Sequence, residues 1–301
     1  MSSTASVEAR RRALLFVVIA YLAAGIVALV TGIALAGAHP IAVAAGADVA
    51  ATLAIFAFSV AFRNSSFYDA YWSAAPIAIA VYWALAPGAD SAVLSRQLLV
   101  IGLVALWGVR LTHNWARGWT GLDHEDWRYA DIRQKTGRLY WPASFLGIHL
   151  YPTVMVFLGC LPLHPSLASG ARALGWLDAA AGLVVLTGIA FELIADNQLR
   201  RFRRSSSPPT AVLETGLWRY SRHPNYLGEM LFWWGLALFS WAATGFVWWA
   251  WVGALAITAM FRFASLPMIE RRMLERRPAY AERQRRVALV IPWPPRATDP
   301  G

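Results

Sequence analysis

The chain has 301 residues, of which 58% are hydrophobic, and its mean hydropathy is +0.45. This composition excludes an ordinary soluble domain and predicts an integral membrane protein. The net charge is +10 and comes mostly from arginines on one side of the predicted membrane. It fits an anionic leaflet and an anionic cytosolic ligand better than nucleic acid. Cys160 is the single cysteine, so no disulfide framework is expected, and no His/Cys spacing predicts a metal site.

The apolar stretches predict an all-α membrane protein, a helical bundle of about eight spans with a cytosol-facing cofactor cavity. Most stretches are close to the ~20 residues that cross a bilayer, and seven spans remain an alternative because the third is short. Arginines lie at alternate ends, so both termini are expected in the cytosol. The expected spans cover residues 13–36, 41–62, 72–87, 93–113, 143–162, 173–195, 225–243 and 246–266.

We expect one membrane domain over residues 1–301, because no separate soluble domain is visible. A short surface helix is predicted near residues 123–133, between the fourth and fifth spans. A kink is expected near Pro152. The domain is expected to divide into spans one to four in 1–115, a cytosolic connection in 116–142, spans five to eight in 143–266 and a cytosolic amphipathic tail in 267–301.

A polar aromatic cluster follows the second span. Tyr68, Asp69 and Tyr71 lie at the expected cytosolic mouth of two spans, whereas Asp48 is expected at the outer interface. Tyrosines at a membrane boundary usually form an interfacial belt. An aspartate between two tyrosines can also orient a phenolic O–H, so Tyr71 or Tyr68, held by Asp69, is the candidate proton donor.

The fourth span ends in a polar face. If the helix continues through it, Arg110, Asn114 and Arg117 fall within an arc of about 60°. Charge exposed to lipid is costly, so this face should point into the bundle. Snorkelling to the interface is the alternative, and it suits Arg117 better than Arg110.

The sixth span ends in an acidic-to-basic stripe. Glu192, Asp196, Arg200 and Arg203 share an arc of about 80° on one helix. The carboxylates suit the ribose and carboxamide of a nicotinamide, and the arginines suit phosphates further out. An Asp196–Arg200 ion pair beside arginines that only orient the span is the alternative.

A third stretch follows an arginine-rich loop. Pro224 is predicted to be the first residue of a helix, which places Asn225 and Glu229 one turn apart. Arginines near the free N–H groups of a helix start make a plausible seat for phosphate. Arginines that only orient the chain are the alternative. The stretch reads Arg219, Tyr220, Ser221, Arg222, His223, Pro224, Asn225, Tyr226, Leu227, Gly228 and Glu229.

This third stretch resembles the C-terminal signature of the steroid 5-alpha-reductase superfamily, and the whole chain resembles its little-characterised bacterial branch. The Arg-His-Pro-x-Tyr core is shared with isoprenylcysteine methyltransferases and sterol reductases, and the Asn-Tyr-Leu-Gly-Glu continuation favours the reductases. Asp196, Arg200 and Arg203 match a pattern of those reductases, although Glu192 stands where they have Asn. The reductases also use a Glu and a Tyr from early helices, but the stretch that carries their Glu is absent here.

The resemblance implies an NADPH-dependent reductase of the bacterial inner membrane. It would transfer a hydride to a polarised C=C bond of a lipid or steroid-like substrate that enters from the bilayer. NADPH is favoured over NADH because its 2′-phosphate can use spare arginines. The three polar stretches are expected to line one cavity, with these cofactor-binding residues: Arg110, Asn114, Glu192, Asp196, Arg200, Arg203, Arg219, Tyr220, Arg222, His223, Asn225, Tyr226 and Glu229.

Two other functions remain open on the sequence. A methyltransferase that uses S-adenosylmethionine can be built around the same Arg-His-Pro-Asn-Tyr core. A non-catalytic lipid-binding membrane protein would give the polar stripes a purely structural role. The oligomeric state is not predicted.

Overall fold

The computed structural model describes residues 3–86, 88–205, 208 and 210–296. Within these ranges the regular structure is helical, apart from one isolated parallel bridge between Ser221 and Ala288. The predicted all-α class is therefore confirmed. The chain divides into two compact units, residues 1–173 and 174–301. That they form one membrane domain stays a prediction.

The N-terminal unit (residues 1–173) is a bundle of long apolar helices joined by short helical turns. Ser65–Tyr68, Ala89–Ser91 and Gly137–Leu139 are single 3₁₀ turns, and Phe145–Leu150 and Pro165–Ser169 are π-helical. The α-helices are α1 (Ser3–Ala34), α2 (Pro40–Ala61), α3 (Tyr71–Leu85), α4 (Leu94–Gly118), α5 (Trp127–Thr136), α6 (Tyr140–Ser144) and α7 (Tyr151–Cys160).

The C-terminal unit (residues 174–301) is built around two long helices and a charged helical tail. Gly216–Arg219 and Trp248–Trp251 are 3₁₀ turns, and Phe261–Ser265 is π-helical. Its α-helices are α8 (Trp176–Arg204), α9 (Pro224–Thr244), α10 (Val252–Met260), α11 (Leu266–Arg276) and α12 (Tyr280–Arg286).

Six helical segments among the described residues are long and apolar enough to cross a membrane, against the eight expected. The protein is an integral membrane protein. Two expected spans do not qualify. The helix α3 has only 15 residues, and α9 has 21 but carries Asn225, Glu229 and three tryptophans, which lower its hydropathy. The qualifying segments are Val7–Ala34, Pro40–Ala61, Leu94–Gly118, Trp127–Ser169, Trp176–Arg204 and Trp248–Arg276.

The local signals around the polar stretches act as predicted. The helix α9 begins at Pro224, α4 continues through Arg117, and α8 continues through Arg203. A helix is present at the predicted place as α5, although it begins the candidate span Trp127–Ser169, and its position on the membrane surface stays a prediction. Before Pro152 the helix widens into the π-helical turn Phe145–Leu150, which fits a proline that cannot donate to the preceding turn.

The helices α8 and α9 pack with their backbones in direct contact. A Cβ atom added at Gly188 would lie 2.6 Å from the carbonyl oxygen of Gly228, and one added at Gly228 would lie 2.6 Å from Cγ of Glu192. Small residues allow this approach, as they do in other membrane helix pairs. The contact brings the acidic end of the α8 stripe beside the first turns of α9.

Candidate functional site

Two groups of hydrogen-bonded polar side chains lie buried inside the N-terminal unit. The hydroxyl of Tyr71 donates to Asp48 Oδ1 at 2.8 Å. The hydroxyls of Tyr68 and Thr153 are 2.8 Å apart, and those of Thr153 and Thr52 are 2.9 Å apart. All five residues are buried. Because an ionisable residue inside a membrane helix is costly, such a cluster is a functional-site candidate by default.

The buried pair of Asp48 and Tyr71 lies inside the helical bundle of the N-terminal unit. The Tyr71 ring packs edge-on against Tyr21, with centroids 6.1 Å apart. Tyr21 is eleven residues beyond Arg10, or roughly 16 Å along α1. The Arg10 side chain donates to backbone oxygens near the end of α4. The side chains of Asp48 and Tyr71 are buried within the protein, and the interfacial placements expected for them stay predictions.

Asp69 does not hold either tyrosine, which corrects the expected pairing. Its Oδ1 accepts a hydrogen bond of 2.5 Å from the hydroxyl of Tyr129 on α5. Burial raises the pKa of Asp69 to about 6, and the hydrogen bond from Tyr129 acts in the opposite direction. Asp69 and Tyr71 are separated by Ala70 alone, but their side chains point to different helices. The Asp69 carboxylate contacts α5, and the Tyr71 hydroxyl contacts α2.

A buried histidine lies next to the same cluster. His149 Nδ1 is 3.0 Å from the backbone oxygen of Ser144, and its Nε2 is 3.0 Å from the hydroxyl of Ser59. A carbonyl oxygen only accepts, so Nδ1 carries a proton and donates. The Tyr68 ring lies 5.2 Å from the imidazole.

The polar face of α4 belongs to the N-terminal unit. Arg110 and Asn114 are half-buried, and Asn114 Oδ1 accepts from Arg117 Nη2 at 3.2 Å. The stripes of α8 and α9 belong to the C-terminal unit. The common cavity expected from all three stretches stays a prediction.

In the C-terminal unit, the end of α8 is fixed against the loop that precedes α9. Gln198 Oε1 accepts from the amide of Leu217 at 3.0 Å, and the Trp218 indole donates to the backbone oxygen of Ala195 at 3.0 Å. Gly216 permits this approach, since it has φ +62° and a Cβ there would collide with Gln198. Two of the three predicted stretches are thus adjacent.

Glu270 organises the Arg-His-Pro segment. Its Oε1 accepts from His223 Nε2 at 2.6 Å and from the Tyr280 hydroxyl at 2.5 Å. Its Oε2 accepts from Arg222 Nη1 and from Gln284 Nε2. The Arg222 charge is therefore neutralised inside the protein, which leaves less of its guanidinium for a phosphate than the sequence suggested.

The C-terminal tail holds the same segment from the other side. The amide of Arg222 donates to the Ala288 carbonyl at 2.9 Å, and the Ser221 hydroxyl donates to the Val290 carbonyl at 2.6 Å. Arg283 is buried and donates to the carbonyl of Trp218. Burial lowers the pKa of Arg283 and raises that of Tyr280. The start of α9 is therefore rigid.

Two polar atoms at the start of α9 are buried without a hydrogen-bond partner. They are Nε of Arg222, which can only donate, and Oδ1 of Asn225, which can only accept. Native proteins pair nearly all such atoms, so each orphan needs an explanation. A cavity of about 300 Å³ lies beside Arg222, and its lining residues are Arg222, Arg262, Leu266, Pro267, Glu270, Gln284 and Leu289.

The remaining predicted cofactor residues differ in exposure. Glu192 and Glu229 are buried, and Glu229 Oε1 accepts from the Trp233 indole at 2.8 Å. The Tyr226 ring packs edge-on against Phe261, with centroids 4.8 Å apart. The exposed residues are Arg203, Arg219 and Tyr220, and the half-buried ones are Asp196, Arg200 and Tyr226.

A family described as "Protein of unknown function (DUF1295)" matches residues 55–287. The chain belongs to the DUF1295 family. An uncharacterised protein of the fission yeast Schizosaccharomyces pombe is 27% identical over 261 residues, which cover 79% of this chain and 75% of the yeast protein. No solved structure matches the chain.

The DUF1295 match contains most of both candidate sites. It includes Tyr71, Thr153, His223 and Glu270, and it begins after Asp48. The sequence interpretation missed Asp48 as a partner of Tyr71 and Glu270 as the residue that organises the Arg-His-Pro segment. A charged residue in the third turn of an otherwise apolar helix was the available signal for Asp48. No comparable signal marked Glu270, which lies among other charges of the tail.

Proposed function

We propose that this DUF1295 protein is an NADPH-dependent membrane reductase that acts on a polarised C=C bond of a hydrophobic, enone-like substrate. The hydrogen-bonded pair of Tyr71 and Asp48, buried among membrane helices, is the observation that carries the proposal. Enone reduction needs a proton donor where negative charge develops on the carbonyl oxygen. Steroid 5-alpha-reductases, which the sequence resembles, use a Glu and a Tyr from early helices, and Asp48 with Tyr71 offers the same chemistry.

The unpaired atoms at the start of α9 suit the groups of a dinucleotide. Arg222 Nε can donate to a phosphate or ribose oxygen, and Asn225 Oδ1 can accept from a hydroxyl or a carboxamide N–H. Exposed Arg203 and Arg219 add positive charge on the same unit. When bound, NADPH would supply the hydride. Glu270 would keep His223 and Arg222 in place during binding.

In the proposed reaction Tyr71 has the role of the acid. Its hydroxyl proton, which Asp48 accepts in the structure, would turn to the carbonyl oxygen of the substrate while the hydride adds to the β-carbon. The resulting enol would tautomerise to the saturated ketone, and the tyrosinate would regain a proton from solvent. Asp48 would fix the orientation of the phenol in the bundle, where water is scarce and a single donor has a large effect. The apolar residues around the pair would accept a substrate that enters from the bilayer.

A methyltransferase is the second candidate, and Glu270 is the observation that favours it. The carboxylate lies in the wall of the cavity beside the Arg-His-Pro segment. Arg222 and three other donors already contact this carboxylate, so only the remainder of its charge is available to the cationic sulfonium of S-adenosylmethionine. Methyl transfer, however, gives no role to the buried pair of Tyr71 and Asp48.

The experiment is a test of hydride transfer. Purified protein in lipid nanodiscs is mixed with NADPH and a panel of enone lipids and sterols, and nicotinamide oxidation and product mass are followed together. A product two mass units heavier than its substrate, formed with NADPH consumption, supports the reductase. Methylated product from S-adenosylmethionine, without NADPH consumption, would transfer the assignment to the methyltransferase.

A further inference from the structure

We propose that the end of the C-terminal tail is anchored in the membrane interface through the side chains of Ile291 and Trp293. Its partner is the lipid bilayer, at the level where the acyl chains meet the headgroups. The anchor lies in the C-terminal unit beside the Arg-His-Pro segment, and it does not depend on which reaction the protein catalyses.

Ile291 and Trp293 are apolar side chains that the folded tail presents outward. Their exposed fractions are 71% and 69%, whereas Val287, at the end of α12, is buried. The backbone that carries them is ordered, because the Trp293 amide donates to the Tyr220 carbonyl at 3.0 Å and Pro292 between them has a fixed φ. Exposure of this much apolar surface to water is unfavourable, so the two side chains need a partner.

Helix α8 measures the distance from the tail to the opposite membrane boundary. It begins at Trp176, whose side chain is 77% exposed, and Gln198 on the same helix accepts from the amide of Leu217 just before the Arg-His-Pro segment. The two α8 residues are 22 positions apart, which is about 33 Å along a helix. A hydrocarbon core is about 30 Å thick. The Arg-His-Pro segment therefore lies one membrane thickness from Trp176.

The helical segment Trp248–Arg276 gives nearly the same length independently. Trp248 is 70% exposed, and Glu270 accepts from His223 Nε2. These two residues of the segment are again 22 positions apart. Because tryptophans gather at both membrane interfaces, exposed Trp176 and Trp248 mark one boundary. The Arg-His-Pro segment and the tail bonded to it then lie at the other.

The charges around the tail fit the same boundary. The large exposed apolar side chains of α8 end at Ile194, and exposed arginines follow at 201, 203 and 204. Arg219 is exposed next to the tail-bonded Tyr220, and its guanidinium lies 5.8 Å from the centre of the Tyr220 ring. Arginine beside tyrosine and tryptophan is typical of the headgroup level, where anionic lipids attract the cation. This surroundings favours lipid over a soluble partner.

The test measures the depth of spin labels on the tail. Cys160 is the single cysteine and is buried, so Cys160→Ala provides a background in which one new cysteine is labelled at a time. Labels are attached to Ile291→Cys and Trp293→Cys in nanodiscs of phosphatidylglycerol and phosphatidylcholine. Their collisions with oxygen, which concentrates in the bilayer, are compared with collisions with a water-soluble nickel chelate.

The controls bracket the expected depth. Glu275→Cys and Glu282→Cys label exposed charged positions on α11 and α12, and Leu186→Cys labels an exposed position in the middle of α8. The ratio of oxygen to nickel collisions at 291 and 293 should be severalfold higher than at 275 and 282, and lower than at 186. A ratio equal to that of the two glutamate positions would overturn the anchor. Low access to both reagents would overturn it in favour of a second copy of the chain covering the tail.

A second measurement keeps the anchor positions unlabelled. A label on Arg296→Cys should gain mobility in nanodiscs when combined with Trp293→Ser and should keep its mobility with Trp293→Tyr, since tyrosine retains an interfacial ring. The Trp293 side chain is exposed, so its removal costs little packing within the protein. Equal mobility with serine and with tyrosine would also overturn the anchor.

Discussion

At the scale of single residues, the pair of Tyr71 and Asp48 gives the sharpest prediction. Tyr71→Phe removes the proposed acid and should lower turnover by about 10² to 10⁴, the range of general acid catalysis. Asp48→Asn should act in the same direction and less strongly, because the phenol remains. NADPH affinity should be unaffected. Steady-state kinetics and calorimetry on the same preparations check this.

Tyr82→Phe is the matched control for this prediction. Tyr82 is on α3 like Tyr71 and is half-exposed. The Tyr82→Phe substitution should leave both turnover and NADPH affinity unchanged. Parental turnover in Tyr71→Phe would exclude Tyr71 as the acid.

Two roles of Arg222 can be tested separately, its ion pair with Glu270 and hydrogen bonding by its Nε atom. Lysine can keep the ion pair with Glu270 but has no equivalent of Nε, whereas alanine removes both. Arg222→Lys should therefore remain folded and lose about 1.5 to 3 kcal/mol of NADPH binding, the usual size of a hydrogen bond to a charged group. Arg222→Ala should also lower the melting temperature. Calorimetry and thermal unfolding in detergent provide the two readouts, and parental affinity in Arg222→Lys would exclude the Nε contact.

Asp69 should make stability depend on pH. Burial raises its pKa from 3.8 to about 6, so its protonated form is favoured in the folded protein. This contribution is complete below about pH 4 and is lost as the pH rises through about 6. The melting temperature of the parent should therefore fall across this window relative to Asp69→Asn, which still accepts from Tyr129. If the melting temperatures of the two proteins changed with pH in the same way, the pKa of Asp69 would not be raised in the folded protein.

Single residues also show what a sequence can predict. Pro224 marked the start of α9 because its fixed φ and missing N–H suit a first helical turn, and this signal is local. The partners of Tyr71 and His223 lie 23 and 47 residues away along the chain, in Asp48 and Glu270. Such pairs depend on how helices pack, and no spacing rule within one helix supplies them.

At the scale of elements, the contact of α8 with α9 holds the two C-terminal stripes together. Gly188→Ala would place a methyl group 2.6 Å from the Gly228 carbonyl oxygen, so the helices must separate. Overpacking of this kind costs typically 1 to 3 kcal/mol, more than the helix propensity that alanine adds. Thermal unfolding in detergent should show a lower midpoint for Gly188→Ala, and calorimetric titration should show weaker NADPH binding.

Gly182→Ala is the control, because it lies on the same helix and the nearest atom to its new Cβ is 3.7 Å away in Phe239. It should be neutral or slightly stabilising. Equal melting temperatures for the two alanine variants would contradict a close backbone contact at Gly188.

The elements themselves were largely predictable. Apolar length and charged ends located most of the long helices, since both are properties of consecutive residues. The count of spans was not, because α3 is short and α9 combines an apolar surface with buried polar groups. Hydropathy does not record that Glu229 of α9 is buried within the protein and accepts a hydrogen bond from Trp233.

At the scale of the whole molecule, the number of spans decides whether the two termini lie on the same side of the membrane. Six candidate spans and the expected eight are both even numbers, so either would place the two termini on the same side of the membrane. The bacterial inner membrane was expected from the family resemblance, and the cytosolic termini were expected from the arginine bias. Both stay predictions.

The measurement that tests the central claim most directly is calorimetric titration of the purified protein with NADPH, NADH and S-adenosylmethionine. The account predicts that NADPH binds most tightly, because guanidinium groups and the unpaired Nε of Arg222 favour phosphates. It also predicts that Asn225→Ala weakens NADPH binding, while Asn197→Ala, on α8, does not. Binding of S-adenosylmethionine alone, or NADPH binding that Asn225→Ala leaves unchanged, would contradict it.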